Sequence, residues 1–265
     1  MAQHMSAQNG WNLTEHGPPD AAHTVLLLPG ALCTALFFED LIADPRLRDA
    51  SIRLVATTVP GFGGTAPLGD VTMENYARLA GKLAADLGCD LVVGHSLGAN
   101  IALEMAASGE FSGPLVLLSP SFSRKDESIF PRVLDRLGRV LGTLPYAAMF
   151  KVIGPAIGGS LPTDRREALV AELNKNDPAF VRRQTHEYLG YLDRHTTLVP
   201  RLCDAGVEAH VVFGEKDDVG LADEERRALE QCPRTTLTTI AGAGHFTLNQ
   251  EPSQIAEIVL EALPA

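Results

Sequence analysis

The sequence predicts an α/β protein: a mostly parallel, doubly wound sheet with an all-helical insertion between two of its strands. Three observations predict it. Short continuous apolar runs, such as Thr24-Val25-Leu26-Leu27-Leu28 and Leu115-Val116-Leu117-Leu118, read as strands buried on both faces, as in a parallel sheet covered by its own crossovers. Segments with helical spacing separate them, so the order is strand, helix, strand. From about Ser121 to about Asp204 that rhythm stops and only helical patterns remain.

After a polar, poorly patterned start, the Thr24 to Leu28 strand ends at Pro29-Gly30, which sets Ala31-Leu32-Cys33 at its carboxyl end, where open α/β sheets place their sites. Ile52 to Thr57 is a second strand. It closes in Pro60-Gly61-Phe62-Gly63-Gly64, a loop with so little side chain that it can lie against a pocket. Thr72 is an N-cap, and Tyr76, Leu79, Leu83 and Leu87 mark one face of the helix it starts. In the insertion, Phe130, Leu134, Leu137 and Leu141 recur at helical spacing, a glycine-rich joint spans Gly154 to Gly159, and helix starts stand at Pro162-Thr163-Asp164 and Asp177-Pro178. Leu144, Tyr146, Met149, Phe150, Val152, Ile153 and Ile157 make it apolar, as expected of a cap over a site. The sheet resumes at Ala209 to Phe213 and Thr235 to Ile240, and a helix from Pro252 buries Ile255, Ile258, Val259 and Ala262. The division expected is a core of residues 1–120 and 205–265 with a cap of residues 121–204.

The stretch that carries chemistry is Leu91-Val92-Val93-Gly94-His95-Ser96-Leu97-Gly98-Ala99. An apolar strand stops at a Gly-x-Ser-x-Gly turn and a helix begins at once, the context in which this pentapeptide is a nucleophile elbow. Gly94 and Gly98 let helix and strand approach, and the helix aims its positive end at Ser96. A serine hydroxyl needs a base, and His245, in Ala241-Gly242-Ala243-Gly244-His245-Phe246 after a late strand, is placed to reach over the sheet edge. His95 points away at a tight turn and is expected to pack against the sheet. His186 and His195 are expected at the surface of the insertion, and His210 in a strand. The imidazole needs a carboxylate to fix its tautomer. Asp217, shortly after the Ala209 strand, fits the order serine, acid, histidine, with Asp218 as the competitor. Two backbone donors must meet the oxyanion: Leu97, just after the nucleophile, and Ala31, with Leu32 as the other choice.

Gly94-His95-Ser96-Leu97-Gly98, Gly214-Glu215-Lys216-Asp217, Gly242-Ala243-Gly244-His245 and Pro60-Gly61-Phe62-Gly63 together resemble the motifs of the α/β-hydrolase superfamily, in its small capped serine esterase-like branch. The resemblance runs from about Val25 to Leu263, apart from the insertion. It implies the α/β-hydrolase fold and a hydrolase acting through a covalent acyl-enzyme. Where that branch has His-Gly before the oxyanion residue this chain has Pro29-Gly30, and Thr57 stands where an aspartate is common. A serine nucleophile disfavours the dehalogenase and epoxide hydrolase chemistries, which use aspartate at that position in this superfamily.

With 265 residues, 45% of them hydrophobic and 21% charged, the chain has the composition of one large soluble domain, and no apolar stretch is long enough for a bilayer. A formal charge of −11 without a basic cluster argues against nucleic-acid and anionic-membrane partners. The start lacks a secretion signal, so the cytoplasm is the expected location. Cys33, Cys89, Cys203 and Cys232 show neither a C-x-x-C pair nor metal-ligand spacing, and each is expected to be a small buried hydrophobe. No cofactor or metal is expected. The function expected is carboxylesterase or lactonase action on a small hydrophobic ester-like substrate, by a monomer or homodimer. Thioesterase, C–C bond hydrolase and perhydrolase chemistries use the same apparatus, and a non-catalytic ligand-binding member of the fold is the alternative of another class.

Overall fold

Strand β3 (Thr24–Leu28) follows β1 (His4–Gln8) and β2 (Trp11–His16), and precedes β4 (Arg53–Thr58), β5 (Leu91–His95), β6 (Leu115–Leu118), β7 (Ala209–Gly214) and β8 (Thr235–Ile240). The computed structural model describes residues 4–8, 10–157 and 163–264. It joins these strands into one sheet of order β1-β2-β4-β3-β5-β6-β7-β8. β3 to β8 run parallel, while β2 is antiparallel to both β1 and β4.

Short helices α1 (Glu39–Ile42) and α2 (Pro45–Asp49) follow β3. Helix α3 (Met73–Leu87) leads to β5 and α4 (Leu97–Ala107) to β6. Between β6 and β7 the described elements are all helices: α5 (Ile129–Leu141), α6 (Leu144–Ile157), α7 (Thr163–Leu173), α8 (Pro178–His195) and α9 (Val199–Ala205). Then α10 (Asp223–Glu230) joins β7 to β8, and α11 (Thr247–Gln250) and α12 (Pro252–Glu261) follow β8.

Alternation along each parallel strand sends side chains into two cores. Leu26, Leu28 and Val92 pack with α3, α4 and α9, whereas Val25, Leu27 and Val93 pack with α1, α2 and α12. The sheet is therefore doubly wound. The chain leaves β3 for β4 on one side and returns through α3 to β5 on the other, so the loops after β3 and β5 meet where strand order reverses. Helix α4 is buried nearly all round, including Asn100 and Glu104. Both are satisfied: the Tyr188 hydroxyl donates to Asn100 Oδ1 at 3.1 Å, and the Tyr191 hydroxyl and Arg201 guanidinium donate to Glu104 at 2.8 and 2.6 Å. These bonds tie α8 and α9 to the helix behind Ser96.

Several expectations change. The polar start forms β1 and β2, with Trp11 and Leu13 buried while Asn12 between them is exposed, a half-buried strand pattern too short to stand out. On α3 the buried face centres on Met73, Tyr76, Ala77, Ala80, Leu83 and Ala84, with Leu79 and Leu87 at its margin. The helical spacing of Phe130, Leu134, Leu137 and Leu141 does match α5, on which Leu134 is buried and the other three are about half exposed. Gly154 lies inside α6 rather than opening a joint, since the helix continues to Ile157; residues 158–162 lie outside the described residues. Cys203 and Cys232 are not separate hydrophobes but a disulfide, with Cα atoms 5.5 Å apart. Their separation of 29 residues hides the pair from a rule that looks for short spacings. Cys33 and Cys89 are thiols, and burial pushes the pKa of each up to about 12. No described helix is long and apolar enough to cross a membrane.

Candidate active site

The parallel strands deliver their residues to one rim. Ser96 follows β5, the Gly30 turn follows β3, Ser119 follows β6, Asp217 follows β7 and His245 follows β8. Ser96 has φ 51° and ψ −117°, a conformation side-chain-bearing residues rarely adopt, and it directly precedes the first turn of α4. The glycines around it make that turn possible. A Cβ on Gly98 would fall on the Leu28 carbonyl, and one on Gly94 would lie 2.6 Å from Ala99 Cα.

His245 Nδ1 donates to Asp217 Oδ1 at 2.9 Å, which leaves Nε2 as the basic nitrogen. Asp217 is held from three sides, since the Ser119 hydroxyl donates to Oδ2 at 2.5 Å and the Val219 amide to Oδ1 at 2.9 Å. Its side chain is only 2% exposed. Burial pushes its carboxyl pKa up, but the hydrogen bond and charge of His245, with the Ser119 and Val219 donors, outweigh burial and hold it below the ordinary value. Burial likewise disfavours the imidazolium of His245. The Asp217 hydrogen bond and charge win, and its pKa lies above the ordinary histidine value. Asp218 is exposed. The structure thus joins Asp217, not Asp218, to the imidazole.

His95 packs against the sheet as expected, but it also touches the site. It is 1% exposed and its Nε2 donates to the His245 carbonyl at 2.9 Å, bracing the loop that carries the imidazole. Burial first, and then the neighbouring His245, depress its pKa to about 3, so it stays neutral. His186 is exposed and pairs with Asp135 at 2.9 Å, and His195 is half-buried. His210 lies in β7.

Ala31 and Leu32 form the corner of a turn closed by Cys33 N to Gly30 O at 3.2 Å, with Leu32 at φ 69°. Asn176, from the loop between α7 and α8, donates to Leu32 O at 3.0 Å and accepts from Gly63 N at 2.9 Å. It thereby fastens the turn to the Pro60–Gly64 loop. Ala31, Leu32, Ser96, Leu97 and His245 all line a cavity of about 240 Å³. Its far wall comes from the helical segment: Phe130, Pro131 and Leu134 of α5, Tyr146, Met149 and Ile153 of α6, and Val181, Gln184, Thr185 and Tyr188 of α8.

A site of this kind brings a hydroxyl at a helix N-terminus, an oriented imidazole and free backbone edges to one small apolar chamber. Asp217, Asp218 and His245 are also close enough to share a cation, their donor atoms lying within 4.8 Å of one another. In the structure these side chains are instead tied by the hydrogen bond from His245 Nδ1 to Asp217 Oδ1.

Sequence reasoning missed Ser119, Asn176, Glu127, Gln184 and Tyr146 as site residues. Ser119 stood in plain view at a strand end, and strand-end position in a parallel sheet is the signal that could have found it. The others come from the insertion, where only the packing of the helices against the rim brings them to the site, as with Asn176, which meets Leu32 and Gly63 across 144 and 113 residues.

The strand order, the reversal between β3 and β5, and the serine turn beside it define an α/β-hydrolase fold. The sequence profile of the alpha/beta hydrolase family matches residues 25–258, and the chain belongs to that family. No curated protein sequence matches it. Among solved structures, the chain is similar to the esterase EaEST from Exiguobacterium antarcticum, with TM-score 0.75, 17% identity and 98% of each chain covered. It is also similar to the thioesterase domain from the curacin biosynthetic pathway, with TM-score 0.73, 18% identity, and 98% of this chain and 99% of that one covered. A thermophilic esterase from Thermogutta terrifontis superposes with TM-score 0.72 at 17% identity, over 98% of this chain and 97% of its own. At these identities the likeness is one of fold.

Proposed function

We propose that this protein is a serine hydrolase that cleaves a carboxylic ester-type bond in a small, largely apolar substrate through an acyl-enzyme. The observation that carries the reading is the His245–Asp217 hydrogen bond, which leaves a basic Nε2 in the cavity that Ser96 lines. In the reaction, Ser96 Oγ attacks the carbonyl carbon and its proton passes to His245 Nε2. That proton then goes to the departing alcohol, and a water activated by the same nitrogen frees the acid. Asp217 keeps the tautomer and stabilises the imidazolium. The backbone amides of Leu97, at the start of α4, and of Ala31 in the Gly30 turn are the donors to the oxyanion, with Leu32 the other choice in that turn. One such donor is typically worth about 10²- to 10³-fold in rate. Residues 121–204 act as a cap over the core of residues 1–120 and 205–265, and the cavity between them sets substrate size.

The test is labelling with a fluorophosphonate, read by intact mass, alongside hydrolysis of short- and long-chain p-nitrophenyl esters, lactones and acyl thioesters. One adduct on Ser96, absent in Ser96→Ala, with turnover lost by several orders of magnitude in that variant, is the expected result. Full activity in Ser96→Ala would reject the assignment. A folded wild type that neither labels nor turns over any of the panel would favour the binding-protein reading.

A further inference from the structure

The chamber wall is apolar apart from a few buried polar groups, and two of these make no well-formed hydrogen bond among the described residues. Gln184, 2% exposed on α8, lines the cavity, and its Nε2 has no hydrogen-bond partner among the described residues. The Tyr146 hydroxyl of α6 is fully buried; the Thr185 hydroxyl is its nearest polar neighbour, without the geometry of a formed hydrogen bond. Nearly all buried donors in folded proteins are paired, and leaving one unpaired costs more than making the bond returns. A group that fills this chamber must give these donors an acceptor or leave them stranded in a dry site.

The neighbours show what kind of acceptor fits. Glu127 also lines the cavity, with both carboxyl oxygens already engaged: Ser121 Oγ donates to Oε2 at 3.0 Å and Ser128 N to Oε1 at 3.0 Å. Asp218 is the other acidic lining residue, and no lysine or arginine is among the described residues that line it. A carboxylate or phosphate on the ligand would meet two acids and no lysine or arginine, and His245 is already paired with Asp217, so the acceptor is neutral.

We propose that Gln184 Nε2 and the Tyr146 hydroxyl form a polar subsite for a neutral oxygen function, a ketone, amide or hydroxyl, carried by the substrate away from its scissile bond. The substrate is then an oxygenated ester and not a plain hydrocarbon one. The assignment of the scissile bond rests on the hydrolase reading above, but binding at the subsite does not require turnover.

The probes are methyl octanoate with its oxo-substituted isomers, and octyl acetate with its oxo-substituted isomers, titrated calorimetrically into Ser96→Ala. At least one oxo position should bind about tenfold more tightly than its methylene parent, the ratio for one hydrogen bond to a buried neutral donor. The same gain should fall in Ser96→Ala/Gln184→Leu, which removes the amide donor, and vanish in Ser96→Ala/Gln184→Leu/Tyr146→Phe, which removes both donors, with circular dichroism confirming the fold. No gain at any oxo position, or a gain that survives both replacements, overturns the subsite. Turnover by the wild type is read separately. Ester hydrolysis without an oxo preference would leave the hydrolase reading standing and sink this inference, and oxo-dependent binding without hydrolysis would do the reverse.

Discussion

Replacing Asn176 with alanine removes three hydrogen bonds at once. The carboxamide accepts from Gly63 N at 2.9 Å and donates to Leu32 O at 3.0 Å and Leu173 O at 2.8 Å, and the residue is 5% exposed. It therefore fastens the turn after β3, the loop after β4 and the end of α7 to one another. At about 1 kcal/mol net for each neutral bond, the loss is about 3 kcal/mol, which is a large part of a typical stability margin. Urea denaturation should show a lower midpoint with an unchanged slope. The catalytic effect follows from Leu32, whose carbonyl is anchored in the turn proposed to supply an oxyanion donor. A displacement on the order of 1 Å in such a group costs up to about 10²-fold in rate, so kcat should fall by about tenfold or more while KM moves less. Asn176→Asp keeps an acceptor for Gly63 but sets an anionic oxygen against two carbonyls, and should be at least as damaging. Wild-type midpoint and wild-type kcat in both variants would refute the reasoning.

Asp217→Asn should lower kcat by several orders of magnitude on a p-nitrophenyl ester, whereas Asp218→Asn, on the exposed side of the loop, should change it by less than about threefold; the reverse ranking would move the acid by one residue. The pH profile of kcat/KM should rise as His245 loses its proton. Because Asp217 raises that pKa, the midpoint should lie above the ordinary histidine value of about 6.5, and the midpoint of the residual activity of Asp217→Asn should move to lower pH, since burial is then opposed only by the charges of Asp218 and Glu127. A wild-type midpoint well below 6.5 would contradict the pairing. For the disulfide, a thiol reagent in denaturant without reductant should count two reactive cysteines, Cys33 and Cys89, and replacing Cys203 and Cys232 with serine should cost about 3.6 kcal/mol for a loop of this length. Four reactive thiols would remove the bridge.

What was legible in the sequence is what depends on local pattern. β3 and β6 fall within the runs that predict them, because a strand buried on both faces must be apolar throughout; β8 has its expected range but is a threonine-rich strand buried only at Ile240; and Thr72 and Asp177 cap their helices through their own side chains at 3.3 and 3.0 Å. The first hairpin was not legible, because β1 and β2 lie at the sheet edge, where few positions need be apolar. The stripe on α5 was legible as a helix, but periodicity says which residues share a face and not whether another element covers it, and Leu137 and Leu141 are 44% and 51% exposed.

The site divides along the same line. Ser96, Asp217 and His245 could be named because each sits in a turn whose glycines and strand-end position leave a local trace. The groups that shape the chamber leave none. Asn176 meets its partner Leu32 across 144 residues and Gly63 across 113, and His95 meets the His245 loop across 150. Gln184 reads in sequence as one polar residue on a mixed helix. Only the packing of α8 over the sheet turns it into a buried donor without a partner. A reaction type can thus be read from three short motifs, because the elbow, the acid turn and the histidine loop are each built by neighbours in the chain. If the insertion is the cap proposed above, substrate choice is set there, where tertiary contacts decide which side chains line the cavity, so variants of its lining residues should alter KM and preference between substrates more than kcat on any one of them.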